Sequence, residues 1–219
     1  MQISDTLKTI QKTLQSYPTN PILIAVTKYA TISQMEELAE SGHLIVGENK
    51  VQSVLEKKPQ THHPFVWHFI GHLQSNKVKK AVSLFTTIQS VDSLKLLKKI
   101  DHECDLSGRK IDIMFQINVA NDPKKHGFTP EDFNRQLPEM IGFSNVQLKG
   151  IMCIVPFTKD PEAARPWFKA AKRIFDDAKG VVPQLKELSM GMSHDYTVAL
   201  EEGSTMVRIG SRLFTDDDK

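Results

Sequence analysis

Eight short apolar runs, each followed by a segment of helical pattern, recur along this chain and constrain its fold more than any other feature. The first is Ile22–Lys28 (ILIAVTK), β-branched and almost unbroken, the composition of a strand buried on both faces. The others are Leu44–Glu48, Val66–His72, Phe85–Val91, Ile111–Val119, Val146–Val155, Glu187–Met192 and Thr205–Ser211. Amphipathic stretches separate them, such as Ile32–Ser41, stopped by Gly42, and the long run from Pro161. Another amphipathic helix, over about residues 1–16, precedes the first strand. Strands alternating with helices imply crossover units and a parallel α/β sheet. Eight units point to a closed (β/α)8 barrel of the TIM type, with a flavodoxin-like open sheet of fewer strands as the alternative. Such barrels typically need ~250 residues with a minimum near 200, so a chain of 219 must build a compact one. No linker-like stretch interrupts residues 1–219, which read as a single barrel domain.

Charge and cysteine usage narrow the function. Lys and Arg number 28 against 26 Asp and Glu, a net charge of +2. So small an excess gives no global field to gather nucleic acid or an anionic membrane surface. Cys104 and Cys153 lie far apart in no C-x-x-C pair, which argues against a disulfide framework and a cysteine zinc site. The N-terminal helix lacks the continuous apolar core of a signal peptide, and no run reaches the ~18 apolar residues of a membrane span. A cytoplasmic protein with reduced thiols is expected. Neither a Gly-rich dinucleotide fingerprint nor a Walker A loop opens any helix.

In such a barrel the active site forms at the C-terminal ends of the strands. Lys28 ends the first strand and shares a face with Ile22, Ile24 and Val26. If that face points inward, Lys28 stands at the mouth. Partial burial there would favour the neutral amine that captures an aldehyde. A lysine ending a strand can equally snorkel to water. Gly191-Met192-Ser193 follows the seventh strand, and Gly210-Ser211 follows the eighth, where barrels frequently bind phosphate. Glycine lets backbone N–H groups approach an anion, serine adds donors, and Arg208 adds fixed charge at the same rim. Ser193-His194-Asp195 could also cap the helix that follows. The alternative is ordinary turn residues with Arg208 in a structural ion pair. His68 and His72 would stand about 13 Å apart on a strand, too far for a metal pair, and His68 reads as a core histidine. The run Lys77, Lys79 and Lys80 reads as a solvated helix face.

A lysine after strand one and a phosphate cradle after strands seven and eight together describe a pyridoxal phosphate (PLP) site. The motifs AVTK (Ala25–Lys28), GENKVQ (Gly47–Gln52), WHFIGHLQSNK (Trp67–Lys77), SVDS (Ser90–Ser93), LKGIM (Leu148–Met152), LSMGMSHD (Leu188–Asp195) and GSTMVRIGS (Gly203–Ser211) carry a resemblance over nearly the whole chain. In these the sequence resembles the YggS/PROSC family of PLP-binding, or PLP homeostasis, proteins. The resemblance implies a fold-type III barrel like the N-terminal domain of alanine racemase, with PLP held as an internal aldimine on Lys28. It implies that Ser193, Gly210 and Ser211 hold the phosphate. Arg208 would lie by the phosphate or the pyridine nitrogen, and Asn49 and His72 would line the pocket. The family commonly continues Ile-Phe-Gly after the eighth strand, where this chain has Leu213-Phe214-Thr215 before an acidic ending. That departure bears on the final helix rather than on the cofactor site.

Two functions from different classes follow. The first is a non-catalytic PLP carrier or regulator of vitamin B6 supply, monomeric, with PLP-dependent apo-enzymes as partners. The second is a PLP enzyme such as an amino-acid racemase, which needs a base on each face of the substrate carbon. Alanine racemases draw one base from a second domain that this sequence does not contain. A cofactor-free aldolase using Lys28 is a third reading, and it leaves the Gly/Ser cradle unexplained unless its substrate is phosphorylated.

Overall fold

The computed structural model describes residues 2–215. Its eight strands, β1 (Ile22–Val26), β2 (Ile45–Glu48), β3 (Val66–Phe69), β4 (Thr87–Val91), β5 (Ile111–Ile117), β6 (Val146–Cys153), β7 (Glu187–Met192) and β8 (Met206–Ile209), are all parallel. They close in sequence order, with β8 pairing β1 through Ile24 opposite Arg208. The barrel is the expected one, and the open-sheet alternative is excluded. Several strands are shorter than their apolar runs, so Lys28 lies two residues beyond β1 and His72 three beyond β3.

Helices α1 (Ile3–Gln15), α2 (Ile32–Glu40), α3 (Val51–Lys57), α4 (Val78–Leu84), α5 (Leu94–Ser107), α6 (Pro130–Met140), α7 (Arg165–Val181), α8 (Tyr196–Glu201) and α9 (Ser211–Phe214) complete the chain. Local chemistry sets their ends. Thr31 and Gln34 form a reciprocal capping box on α2, and Ser93 and Thr129 cap α5 and α6. Gly108 ends α5 in the left-handed region at φ 62°, a conformation that glycine adopts without strain. The helix put in doubt by Leu213-Phe214-Thr215 forms as a single turn, because buried Leu213 docks it on the core. The acidic residues that follow lie outside the described residues, as does Met1.

Two apolar regions result. The larger lies between the sheet and its helices and includes Leu7, Leu38, Phe69, Phe85, Phe133 and Phe168. A smaller one fills the barrel interior, where Ile24, Met114, Met152 and Met206 meet Ile22, Ile45 and Ile154. Ile22 and Ile24 therefore point inward, on the one face that the alternation in ILIAVTK gives them. Above this plug the interior turns polar, with His68, Gln89, Ser189 and Arg208 all buried. Among the described residues no helix is long and apolar enough to cross a membrane.

Candidate functional site at the barrel mouth

Arg208 forms the floor of the site. The register with Ile24 aims it inward, and it is almost fully buried. Its Nη1 donates to Ser189 Oγ at 2.6 Å and its Nη2 to the Cys153 carbonyl at 2.8 Å. Among the described residues no carboxylate lies within 4.0 Å of it, which removes the structural ion pair considered from sequence. Burial pulls its pKa down, while Asp195 and Cys153 pull it back up. The same burial pushes the Cys153 thiol up to about 12, an inert group at neutral pH.

The turns after β7 and β8 converge as the paired Gly/Ser signal anticipates. The Gly210 amide donates to Ser193 Oγ at 3.2 Å, and Ser211 begins α9 at the next position. A Cβ on Gly210 would stand 3.0 Å from both Cβ and the carbonyl oxygen of Val26. Gly191 holds φ 89°, and a Cβ there would meet Ala199 Cβ at 2.6 Å. Both glycines therefore keep backbone close to neighbouring elements. The capping expectation is corrected: Asp195 stands at the α8 N-cap, but its side chain caps nothing forward. Its Oδ1 instead accepts from the Met192 amide at 2.7 Å, bracing the β7 turn.

Lys28 is at the rim but not desolvated. Its side chain is exposed, with Nζ 4.7 Å from the centre of the Tyr29 ring. The shortening of β1 explains this, since the residue leaves the strand before it reaches the interior. The half-buried lysine of the mouth is Lys125, which sequence reasoning missed. Asn118 folds the loop after β5 by bonding both the amide and the carbonyl of Asp122. That loop brings Lys125 Nζ to the Ile154 carbonyl at 3.3 Å, and burial pulls its pKa down against Asp122, Cys153 and Asp195. The available signal was the polar Asp122–Gly127 stretch after β5.

Asn49 and His72 are exposed and together line a cavity of about 430 Å³ beside the mouth. His72 Nδ1 donates to Asp92 Oδ2 at 2.9 Å, which leaves Nε2 free. His126 stacks on His72 with ring centres 3.6 Å apart and planes 10° from parallel. Its Nδ1 is 3.9 Å from the same carboxylate oxygen. This trio has the residue types of a metal site. Ring lone pairs lie in the ring planes, however, so two parallel stacked rings cannot aim theirs at one ion. Of the other histidines, His68 is buried as the sequence suggests, and His62 is exposed beside Glu36.

An eight-stranded parallel barrel with a buried arginine below a Gly/Ser-lined mouth is a definite class. The family model described as alanine racemase, N-terminal domain, matches residues 2–218. Alanine racemase of Clostridium difficile 630 superposes with a TM-score of 0.77 at 15% identity, over 98% of this chain and 58% of that one, a likeness of fold alone. Nearer in sequence is the pyridoxal phosphate homeostasis protein of Helicobacter pylori J99, 36% identical over 97% of this chain and 96% of its relative. That of Aquifex aeolicus is 34% identical over 88% and 85%. PipY of Synechococcus elongatus PCC7942, solved with PLP bound, is 34% identical with a TM-score of 0.89, covering 97% of this chain and all of that one. The chain belongs to the family of pyridoxal phosphate homeostasis proteins.

Proposed function

We propose that this chain binds pyridoxal phosphate at the barrel mouth and serves the cell's supply of it as a carrier or regulator in the cytoplasm. The observation that carries the reading is the convergence of the two Gly/Ser turns, joined by the Gly210–Ser193 bond, beside a buried arginine that has no carboxylate within 4.0 Å among the described residues. Unneutralised buried charge and close-approach glycines suit a phosphorylated anion. When bound, PLP supplies an aldehyde open to covalent capture by an amine.

The chain's own residues divide the work. Ser193, Gly210 and Ser211 would hold the phosphate through hydroxyl and backbone donors. Lys28 offers the capturing amine from the rim, while Asn49 and His72 flank the ring side. Arg208 presents charge from below. A guanidinium facing a pyridine nitrogen disfavours its protonation, which weakens the ring as an electron sink and supports holding over turnover. The relatives' names point the same way.

Parallel titration with PLP and with pyridoxal tests the reading. Charge-assisted hydrogen bonds to phosphate contribute roughly 1.5–3 kcal/mol each, partly offset by desolvation. PLP should bind about 100-fold or more tightly, near 3 kcal/mol. Ser193→Ala should weaken PLP far more than pyridoxal. Equal affinities for the two ligands would remove the cradle from the account.

A further inference from the structure

Below the mouth, Arg208 is the end of a longer chain of buried hydrogen bonds. We propose that Ser189, Gln89 and His68 form a one-way relay across the barrel interior, and that all three are positioning residues for Arg208. The proposal rests on the reading above, in which Arg208 faces the cofactor.

Donor and acceptor counting fixes the direction. A guanidinium has donors only, so Ser189 Oγ must accept from Nη1 at 2.6 Å. The single Ser189 proton then goes to Gln89 Oε1 at 2.7 Å. The Gln89 amide nitrogen is left facing His68 Nδ1 at 2.9 Å and Met206 Sδ at 3.1 Å. An amide nitrogen can only donate, so His68 Nδ1 must accept, and its proton sits on Nε2. The reversed amide is worse on two counts. It would strand the Ser189 proton without an acceptor and set the Gln89 carbonyl against the Met206 sulfur lone pairs. Burial also holds His68 neutral, with its pKa pushed down to about 4.

The consequence concerns charge. Arginines are commonly oriented by carboxylates, which also cancel much of their field. Here β7, β4 and β3 supply three neutral groups instead, and the Cys153 carbonyl supplies a fourth. The guanidinium is fixed in direction while its charge stays available to a ligand above.

Nitrogen NMR of the His68 ring in cofactor-free protein decides the relay. Wild type should show the neutral Nε2–H form from pH 8 to pH 5. Ser189→Ala breaks the chain two links away, and should convert His68 to a mixture of tautomers as Gln89 gains freedom to turn. Ser189→Thr, which keeps the hydroxyl, should restore the single form. In the same variants PLP should bind about tenfold more weakly to Ser189→Ala, with a shifted visible band, and recover in Ser189→Thr. Gln89→Leu serves as a second break if Ser189→Ala does not fold. An Nδ1–H or mixed form in wild type, a His68 tautomer indifferent to Ser189→Ala, or unchanged PLP affinity and band each overturn the proposal. Failure of wild type to bind PLP at all overturns the cofactor reading instead, and the tautomer results stand apart from it.

Discussion

The Gly210 amide and the Ser193 hydroxyl meet across 3.2 Å, so the turn after β7 and the turn after β8 are one unit although 17 residues separate them. Residues that brace either turn should therefore act on both.

Glycine substitutions test that rigidity. Gly191→Ala places a methyl 2.6 Å from Ala199 Cβ and 3.0 Å from Tyr196 Cα, at a φ of 89°. Overpacking and backbone strain together should destabilise the fold by about 2–4 kcal/mol, read from denaturant midpoints. Gly108→Ala, at φ 62° with nothing within 4 Å, isolates strain alone and should cost about 1 kcal/mol. Gly210→Ala crowds Val26, and should show itself mainly as weaker PLP binding.

A buried ion pair secures the end of β1. Glu48 is fully buried, and its Oε1 accepts from Thr27 Oγ1 and from Lys57 Nζ, both at 2.8 Å. Lys57 Nζ also donates to the Thr27 carbonyl, immediately before Lys28. Lys57→Met would leave the carboxylate without its cation and should cost about 3–5 kcal/mol. Adding Glu48→Gln should recover part of that loss, because no unpaired charge then remains buried. Equal stability of wild type and Lys57→Met would show that the pair does not stabilise the fold.

Acid should destabilise the protein through His68. Its folded pKa, near 4, is below the ordinary value of 6.5. Between those values the unfolded chain binds a proton that the folded chain refuses, so stability falls as pH falls. The slope is about 1.4 kcal/mol per pH unit, roughly 3 kcal/mol in all between pH 6.5 and 4. Urea midpoints at pH 7 and pH 5 measure it, and His68→Gln should flatten this part of the profile.

Turnover should be negligible. PLP-loaded protein incubated with L-amino acids in deuterated water should exchange α-protons no faster than free PLP. Inversion or exchange well above that level would favour the racemase reading.

The barrel was legible because eight apolar runs leave few other ways to bury themselves, and alternation in ILIAVTK gave the face that Ile22 and Ile24 share, though not its inward direction. The meeting of the two turns was legible from glycine and serine placed after β7 and β8. What escaped depends on three-dimensional proximity. The β5 loop brings Lys125 to Ile154, 29 residues away in sequence, and the link from Ser189 to Gln89 spans 100 residues. The desolvation expected of Lys28 failed because β1 ends at Val26, two residues earlier than its apolar run suggests.

That difference sets the decisive measurement. Lys28 is exposed and Lys125 is half-buried with a lowered pKa, so a rule based on burial alone would choose Lys125. Position in the turn that directly follows β1, at the barrel rim, chooses Lys28. Borohydride reduction of PLP-loaded protein followed by peptide mass spectrometry should place the pyridoxyl group on Lys28, and Lys28→Ala should fold while losing that reducible link. A label on Lys125 in wild type, or on no lysine at all, would contradict the account.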